Sequence, residues 1–242
     1  MMQYQNLSHF YDILSNDQPY DLWLNLIKEI AVKNNYQSIL DLGCGTGTLT
    51  SQLTHIFPNV YGMDLSAEML QIAARKSNDV TWVTGDMSDL HLDRSFDMIT
   101  ILCDSLNYVP EVEEVMNTFN HVFHHLNEGG TLIFDVHTLY KVITQFDNQL
   151  YVDDRESLTL VWKAEHGELP NSIYHDLTFF IKNDDSGQYT RYDETHFQVV
   201  LEKDQYLEML KLIGFKDIKT FYDFDFENQN PESNRLFFIA KK

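Results

Sequence analysis

Short apolar runs alternate along this chain with stretches in which apolar residues recur every third or fourth position. Runs of the first kind predict strands buried on both faces, and the second kind predicts amphipathic helices. A run ending at Leu42, then Val60–Met63, Val80–Val83, Phe96–Leu102 and Thr131–Phe134 read as five strands. Between them, helical patterns run over Leu49–Phe57, from Ser66, and from Pro110 to about Leu126. Ser66 is a capping residue, and Pro110 with Glu111, Glu113 and Glu114 supplies the proline and acids of a first helical turn. Gly129-Gly130 closes that helix on this reading. Strand and helix in regular alternation predict an α/β fold with a doubly wound sheet, whose strand carboxyl ends form one crevice.

From 140 to 200 the period changes. Leu158–Trp162 and Leu177–Ile181 are β-rich and flanked by turn signals at Pro170-Asn171 and Asp184–Gly187, which predicts an inserted antiparallel β subdomain. A helix near 204–213, closed by Gly214, and strands near 218–224 and 235–240 return to the parent pattern. The expected organisation is one domain made of 1–139 and 201–242, interrupted by an insert over 140–200.

Candidate chemistry sits at the strand tips. Asp41-Leu42-Gly43-Cys44-Gly45-Thr46-Gly47 follows a buried strand and opens a helix. Small residues there let the backbone turn tightly and approach a ligand, and the unpaired N–H groups of a helix start favour an anionic group. A dinucleotide loop of the form G-x-G-x-x-G would place its third glycine at Thr48, whereas here it falls at Gly47. Asp64 ends the second strand, where a carboxylate can accept bonds from both ribose hydroxyls. Gly85-Asp86-Met87 ends the third.

These segments, with Asp64–Leu70, Cys103-Asp104-Ser105-Leu106-Asn107-Tyr108, Phe134–His137 and Asp193-Glu194-Thr195-His196, resemble class I methyltransferases dependent on S-adenosylmethionine (SAM), in a bacterial group with a β-sheet insert. Phe10-Tyr11-Asp12 and Tyr20-x-x-Trp23 resemble the lid of sugar and amine N-methyltransferases. The resemblance implies a Rossmann-like seven-stranded sheet ending in an antiparallel hairpin, with an N-terminal helical lid. It also implies SAM as cofactor, with S-adenosylhomocysteine (SAH) as product. The cofactor residues expected are Tyr11, Tyr20, Trp23, Asp41, Gly43, Cys44, Gly45, Asp64, Leu65, Asp86, Met87 and Cys103, with Asp86 on the adenine amino group and the Met87 backbone amide on the ring.

The charge narrows the partners. The 242 residues carry 17 Lys plus Arg against 37 Asp plus Glu, a formal net charge of −20. Nucleic acid is bound largely through basic groups that displace counterions, so free RNA or DNA and anionic membranes are poor partners. Two cysteines give no disulfide framework, and the N-terminus lacks the basic and apolar regions of a signal peptide, so a cytoplasmic monomer or homodimer is expected.

The expected acceptor is a small molecule methylated at nitrogen or oxygen. Such transfer needs alignment and, for an ammonium or hydroxyl, a base. His137, past the fifth strand, is the first candidate, and His196, which shares a strand face with Glu194, is the second. Tyr11 is placed near the sulfonium, with Tyr20 and Trp23 as aromatic neighbours or as anchors of the N-terminal helix. Asp104, Asn107, Tyr108, His137, Glu194 and His196 are the substrate-side candidates, an acid at 104 favouring an amine. Cys103 lacks the preceding proline of pyrimidine C5 methyltransferases. His121, His124 and His125 read as a solvated helix face, Asp153-Asp154 and Asp184-Asp185 as solvated turns, and no metal is expected. The alternatives are methylation of RNA or protein with a basic partner, a SAM-binding regulator without turnover, and an NAD-linked oxidoreductase.

Overall fold

The structure, a computed structural model, describes Asp12, residues 18–183 and residues 186–242. Tyr11 and the Asp184-Asp185 turn lie outside the described residues. The main sheet contains β1 (Ser38–Leu42), β2 (Asn59–Asp64), β3 (Val80–Thr84), β4 (Phe96–Ile101), β5 (Leu126–His137), β10 (Lys216–Tyr222) and β11 (Arg235–Lys241). Its order is β10-β11-β5-β4-β1-β2-β3. The pairs β3–β2, β2–β1, β1–β4 and β4–β5 are parallel, and β11 runs antiparallel between β5 and β10. β1 is buried at every position because helices cover both faces, which is why it reads as a continuous apolar run.

Helix α1 (Tyr20–Asn34) buries Trp23, Leu26, Ile27 and Ala31 on one face and stops at Asn35, whose φ of 55° is left-handed. α2 (Thr48–Gln52) is shorter than its pattern suggests and tightens into a 3₁₀ turn at Leu53–His55. Ser51 and Thr54 hydroxyls bond the carbonyls of Thr48 and Ser51, which competes with the helix ladder. α3 (Ala67–Lys76) starts at Ser66, whose Oγ accepts from the Met69 N–H.

α4 (Val112–His125) starts two residues past Pro110, with Glu111 as its N-cap residue. It ends without help from glycine: His124 and His125 each place Nδ1 on the carbonyl four residues back. β5 then begins at once, and Gly129-Gly130 lies inside it. Gly129 has φ 77°, and a Cβ on Gly130 would sit 2.8 Å from the Asn127 carbonyl oxygen. The β4–β5 register shifts at this point, so the glycine pair makes an irregular step in the strand where a helix stop was expected.

The insert forms a four-stranded antiparallel sheet, β6 (Gln149–Asp154), β7 (Leu158–His166), β8 (Ser172–Lys182) and β9 (Tyr189–Val199), in that order. A helical stretch over 139–146 leads into it, and Val142, Phe146, Ala164, Ile173 and Val200 form its own small core. α5 (Lys203–Ile213) follows and is closed by Gly214 at φ 117°.

Candidate functional site

The tips of β1, β2, β4 and β5 converge, and the loop after β1 folds across them. Gly43 and Cys44 donate their N–H groups to the Met63 carbonyl, which locks the loop to β2. Gly43, Gly45 and Gly47 all have positive φ. A Cβ at Gly43 would strike Ser105 at 2.7 Å and one at Gly47 would strike Trp82 at 2.4 Å, whereas at Gly45 it would meet no atom within 4 Å. Gly45 faces open space in a cavity, where a side chain would intrude. Asp64 accepts from the Gly45 N–H on one oxygen and the Ser66 N–H on the other, which holds the carboxylate at the cavity wall with lone pairs to spare. Asp86 takes both the Ser88 N–H and the Ser88 hydroxyl on Oδ1. Gly43, Gly45, Asp64, Leu65, Asp86 and Cys103 line one cavity of about 330 Å³. A smaller one of about 40 Å³ beside it is walled by Tyr20, Asp41, Cys44 and Cys103.

These residues fit SAM: a carboxylate for the ribose, a second for the adenine amine, the exposed Leu65 side chain as an apolar wall, and a glycine cradle that a Cβ would fill. Asp12 bonds the loop, accepting from Thr46 and Thr48 at 2.6 and 3.2 Å, and accepts from Lys76 at the end of α3 at 2.7 Å. Asp41 lies under the loop, where Thr50 and Thr100 donate to it. Burial, with Asp64 and Asp135 nearby, pushes its carboxyl up to about 6 against those two hydrogen bonds.

A third cavity, about 530 Å³, opens between the crevice and the insert sheet. Asp104 and Tyr108 line both it and the 330 Å³ cavity, so the two adjoin there. Cys103 and Asp104 both have φ 55°, a strained conformation for two successive side-chain-bearing residues. Their N–H groups are held by the two oxygens of the fully buried Asp135 at 3.0 and 3.2 Å. Asp135 also receives Trp23 Nε1 at 2.9 Å and the Arg235 guanidinium.

Asp104 is engaged on both oxygens. Arg235 Nη2 donates to Oδ1 at 3.0 Å, while His137 Nε2 and Gln198 Nε2, each at 3.2 Å, donate to Oδ2. Burial opposes its charge, but His137 and Arg235 hold the carboxyl well below the usual range. His175 extends this network: its Nδ1 accepts from Trp162 Nε1, so its Nε2–H donates to Gln198 Oε1. Burial pushes the His175 ring down to about 4, which keeps it neutral.

Several expected roles change on this geometry. His137 has no free nitrogen for a substrate proton, since Nε2 donates to Asp104 and Nδ1 faces Lys141 Nζ at 3.4 Å; burial first, then Lys141, pushes the ring below its usual range. Trp23 is fully enclosed, with Phe224 on its edge and the Arg235 guanidinium over its face, so it anchors α1 and does not line the cofactor cavities. Asn107 is fully buried and spent on the backbone, donating to the Val199 carbonyl and accepting from the His137 N–H. Met87 packs its side chain on the main core beneath Gly43. Cys103 lines both smaller cavities as expected, and burial and nearby carboxylates push its thiol well above its usual range, in keeping with the missing proline of the C5 methyltransferase motif.

His196 does line the large cavity. Its Nδ1 is 3.3 Å from the Tyr108 hydroxyl and its Nε2 is 3.3 Å from Glu194 Oε2, both rings meeting edge-on. Asp135, Lys141, His175, Gln198 and Arg235 were not singled out from the sequence. A carboxylate inside the run Phe134-Asp135-Val136 was the one local signal among them. No group of three or more metal-ligating side chains occurs among the described residues.

A parallel sheet with an antiparallel terminal hairpin, a glycine cradle after β1 and acids at the tips of β2 and β3 define the class I SAM-dependent methyltransferases, and the chain belongs to that family. Residues 39–130 match a methyltransferase domain. A protein of Geobacillus sp. (strain WCH70), provisionally named a methyltransferase, is 39% identical over 248 residues, covering 100% of both chains. The crystal structure of a SAM-dependent methyltransferase from Clostridium acetobutylicum ATCC 824 superposes with a TM-score of 0.88 at 28% identity and covers 98% of each chain. A dTDP-4-amino-2,3,4,6-tetradeoxy-D-glucose N,N-dimethyltransferase of Saccharopolyspora spinosa is 33% identical over 99 residues, 41% of this chain and 40% of that one.

Proposed function

We propose that this chain methylates a nitrogen or oxygen of a small molecule enclosed beneath the insert. The observation that carries this reading is the junction at Asp104 and Tyr108, where a cavity of about 530 Å³ abuts the one proposed for the cofactor. A room of that size suits a metabolite. The similarity to an amino-sugar N,N-dimethyltransferase supports the same class of acceptor. The two free thiols and the absence of a membrane-crossing helix among the described residues are compatible with the cytoplasm.

When bound, SAM supplies a methyl group already activated by its sulfonium. The protein then aligns the acceptor, excludes water and takes a proton. Tyr108 stands where the proton is released. With Glu194 accepting from His196 Nε2–H, His196 Nδ1 accepts from the hydroxyl of Tyr108, which lines both cavities. As the bond from nitrogen or oxygen to methyl forms and the sulfur–methyl bond breaks, the acceptor proton passes to the Tyr108 oxygen. The tyrosine proton moves to His196, and Glu194 balances the imidazolium.

The test is calorimetric titration with SAM, SAH and NAD, followed by assay of acceptor-dependent SAH formation across amine and hydroxyl metabolites. Asp64→Ala is expected to weaken SAM binding at least about a hundredfold, since each charge-assisted ribose bond is worth about 1.5–3 kcal/mol. Binding of NAD in place of SAM would sink the reading. Tight SAM binding with no turnover on any small acceptor would favour a regulator or a macromolecular substrate.

A further inference from the structure

The hydrogen-bonding capacity left over in the large cavity is unevenly divided. Its carboxylates are each paired with a guanidinium: Asp104 with Arg235, beside His137 and Gln198, and Asp153 with Arg155, two of whose nitrogens share Oδ2 at 2.7 and 2.8 Å. Lys141 is the opposite case. It follows β5 by one helical turn, is largely buried, and points its ammonium into the cavity. That ammonium has three N–H donors, yet among the described residues it makes one long bond to His137 Nδ1 at 3.4 Å and lies 5.0 Å above the Phe146 ring. It has no ion-pair partner among the described residues.

Resting on the methyl-transfer reading of this cavity, we propose that the acceptor carries an anionic group, a carboxylate or a phosphate, and that Lys141 binds it. A cation entering the cavity finds each lining carboxylate already paired with an arginine, whereas an anion finds an ammonium with no such partner among the described residues, and charge-assisted bonds of this kind are strong. Asp104, Asp135 and Asp223 attract the ammonium at longer range and Arg235 repels it, while burial pulls its pKa below the usual lysine range. An anion would restore the charge that burial opposes. Only the His137 ring separates Lys141 from Asp104, so an anion on Lys141 leaves the reacting atom of a short molecule to reach Tyr108 at the junction. Arg155 at the rim, paired with Asp153, is placed for a second contact if the acceptor is longer.

The experiment uses the full chain saturated with SAH and labelled with ¹⁵N in its histidine rings, titrated with inorganic phosphate, malonate and ethanolamine at constant chloride. The expected result is saturable binding of an anion that moves the His137 signals, with no response to ethanolamine. Lys141→Met should weaken it at least about tenfold, the loss of one charge-assisted bond, while Lys141→Arg keeps it. Phosphate alone would mark a phosphoryl acceptor, and response to malonate a carboxylate; either supports the proposal. In the unsubstituted chain the affinity should also fall as pH rises through the lowered pKa of Lys141, which tests the idea even if a variant folds poorly. Anion binding equal in Lys141→Met, no anion binding, or a response to ethanolamine alone would overturn it. SAH saturation is measured in the same samples, so failure of the cofactor reading shows itself separately.

Discussion

Asp41 carries a charge in a place that opposes it. Among the described residues its two oxygens accept from Thr50 and Thr100, and its carboxyl is pushed up to about 6. A carboxyl whose folded pKa exceeds its unfolded one favours the folded state when protonated. Its full cost is therefore absent below roughly pH 4, grows as pH rises from about 4 to about 6, and stays constant above, reaching on the order of 3 kcal/mol. Asp41→Asn removes that cost, since either threonine hydroxyl can turn to accept from the amide. Urea unfolding should show the variant more stable than the parent at pH 8 and close to it at pH 4; equal gains at both would refute the electrostatic account. At this scale the chain is legible where a residue's type forces its use. Glycines in left-handed loops and acids at strand tips announce themselves. Trp23 and Asn107 did not, because indole and amide serve a ligand or a backbone equally well, and only their partners, Asp135 for one and Val199 and His137 for the other, tell which.

Among the elements, the clamp between the parent fold and its insert rests on few bonds. Asn107, in the turn after β4, joins the end of β5 to the end of β9 through two backbone groups. Asn107→Ala would leave the Val199 carbonyl and the His137 N–H buried and unpaired, each costing about 1–3 kcal/mol. We expect a lower urea midpoint and faster amide exchange in β9, with SAH affinity near that of the parent chain; a large loss of SAH affinity instead would mean that Asn107 acts at the cofactor. Strand and helix identity was readable from period, because burial on two faces and burial on one leave different patterns. Boundaries were less so. The Gly129-Gly130 pair reads locally as a helix stop, yet α4 ends earlier on its own histidine side chains and the glycines become a step inside β5.

For the whole molecule, cofactor binding should couple to stability, since the site is built from four strand tips that exist together only in the folded chain. At a hundred times its dissociation constant, SAH should add about 2.7 kcal/mol. For a chain of this size that is about 5–10 °C in Tm by calorimetry. The shift should disappear in Asp64→Ala; its persistence there would place the ligand elsewhere. The same closure joins the insert to the crevice, where Trp162, His175, Gln198 and Asp104 form one directed hydrogen-bond chain from the insert sheet to the turn after β4.

What the sequence determined by itself was the doubly wound fold, the separate antiparallel sheet, and the glycine loop and strand-tip acids Asp64 and Asp86 that line one cavity. These depend on local periodicity and on residues that follow one another along each strand tip. The lining of the 530 Å³ cavity was decided only by tertiary structure. Lys141, His175, Gln198 and Arg235 come from the insert and the last strand and meet Asp104 across separations of up to 131 residues. No local pattern records such a meeting, because it is set by how one sheet packs over another.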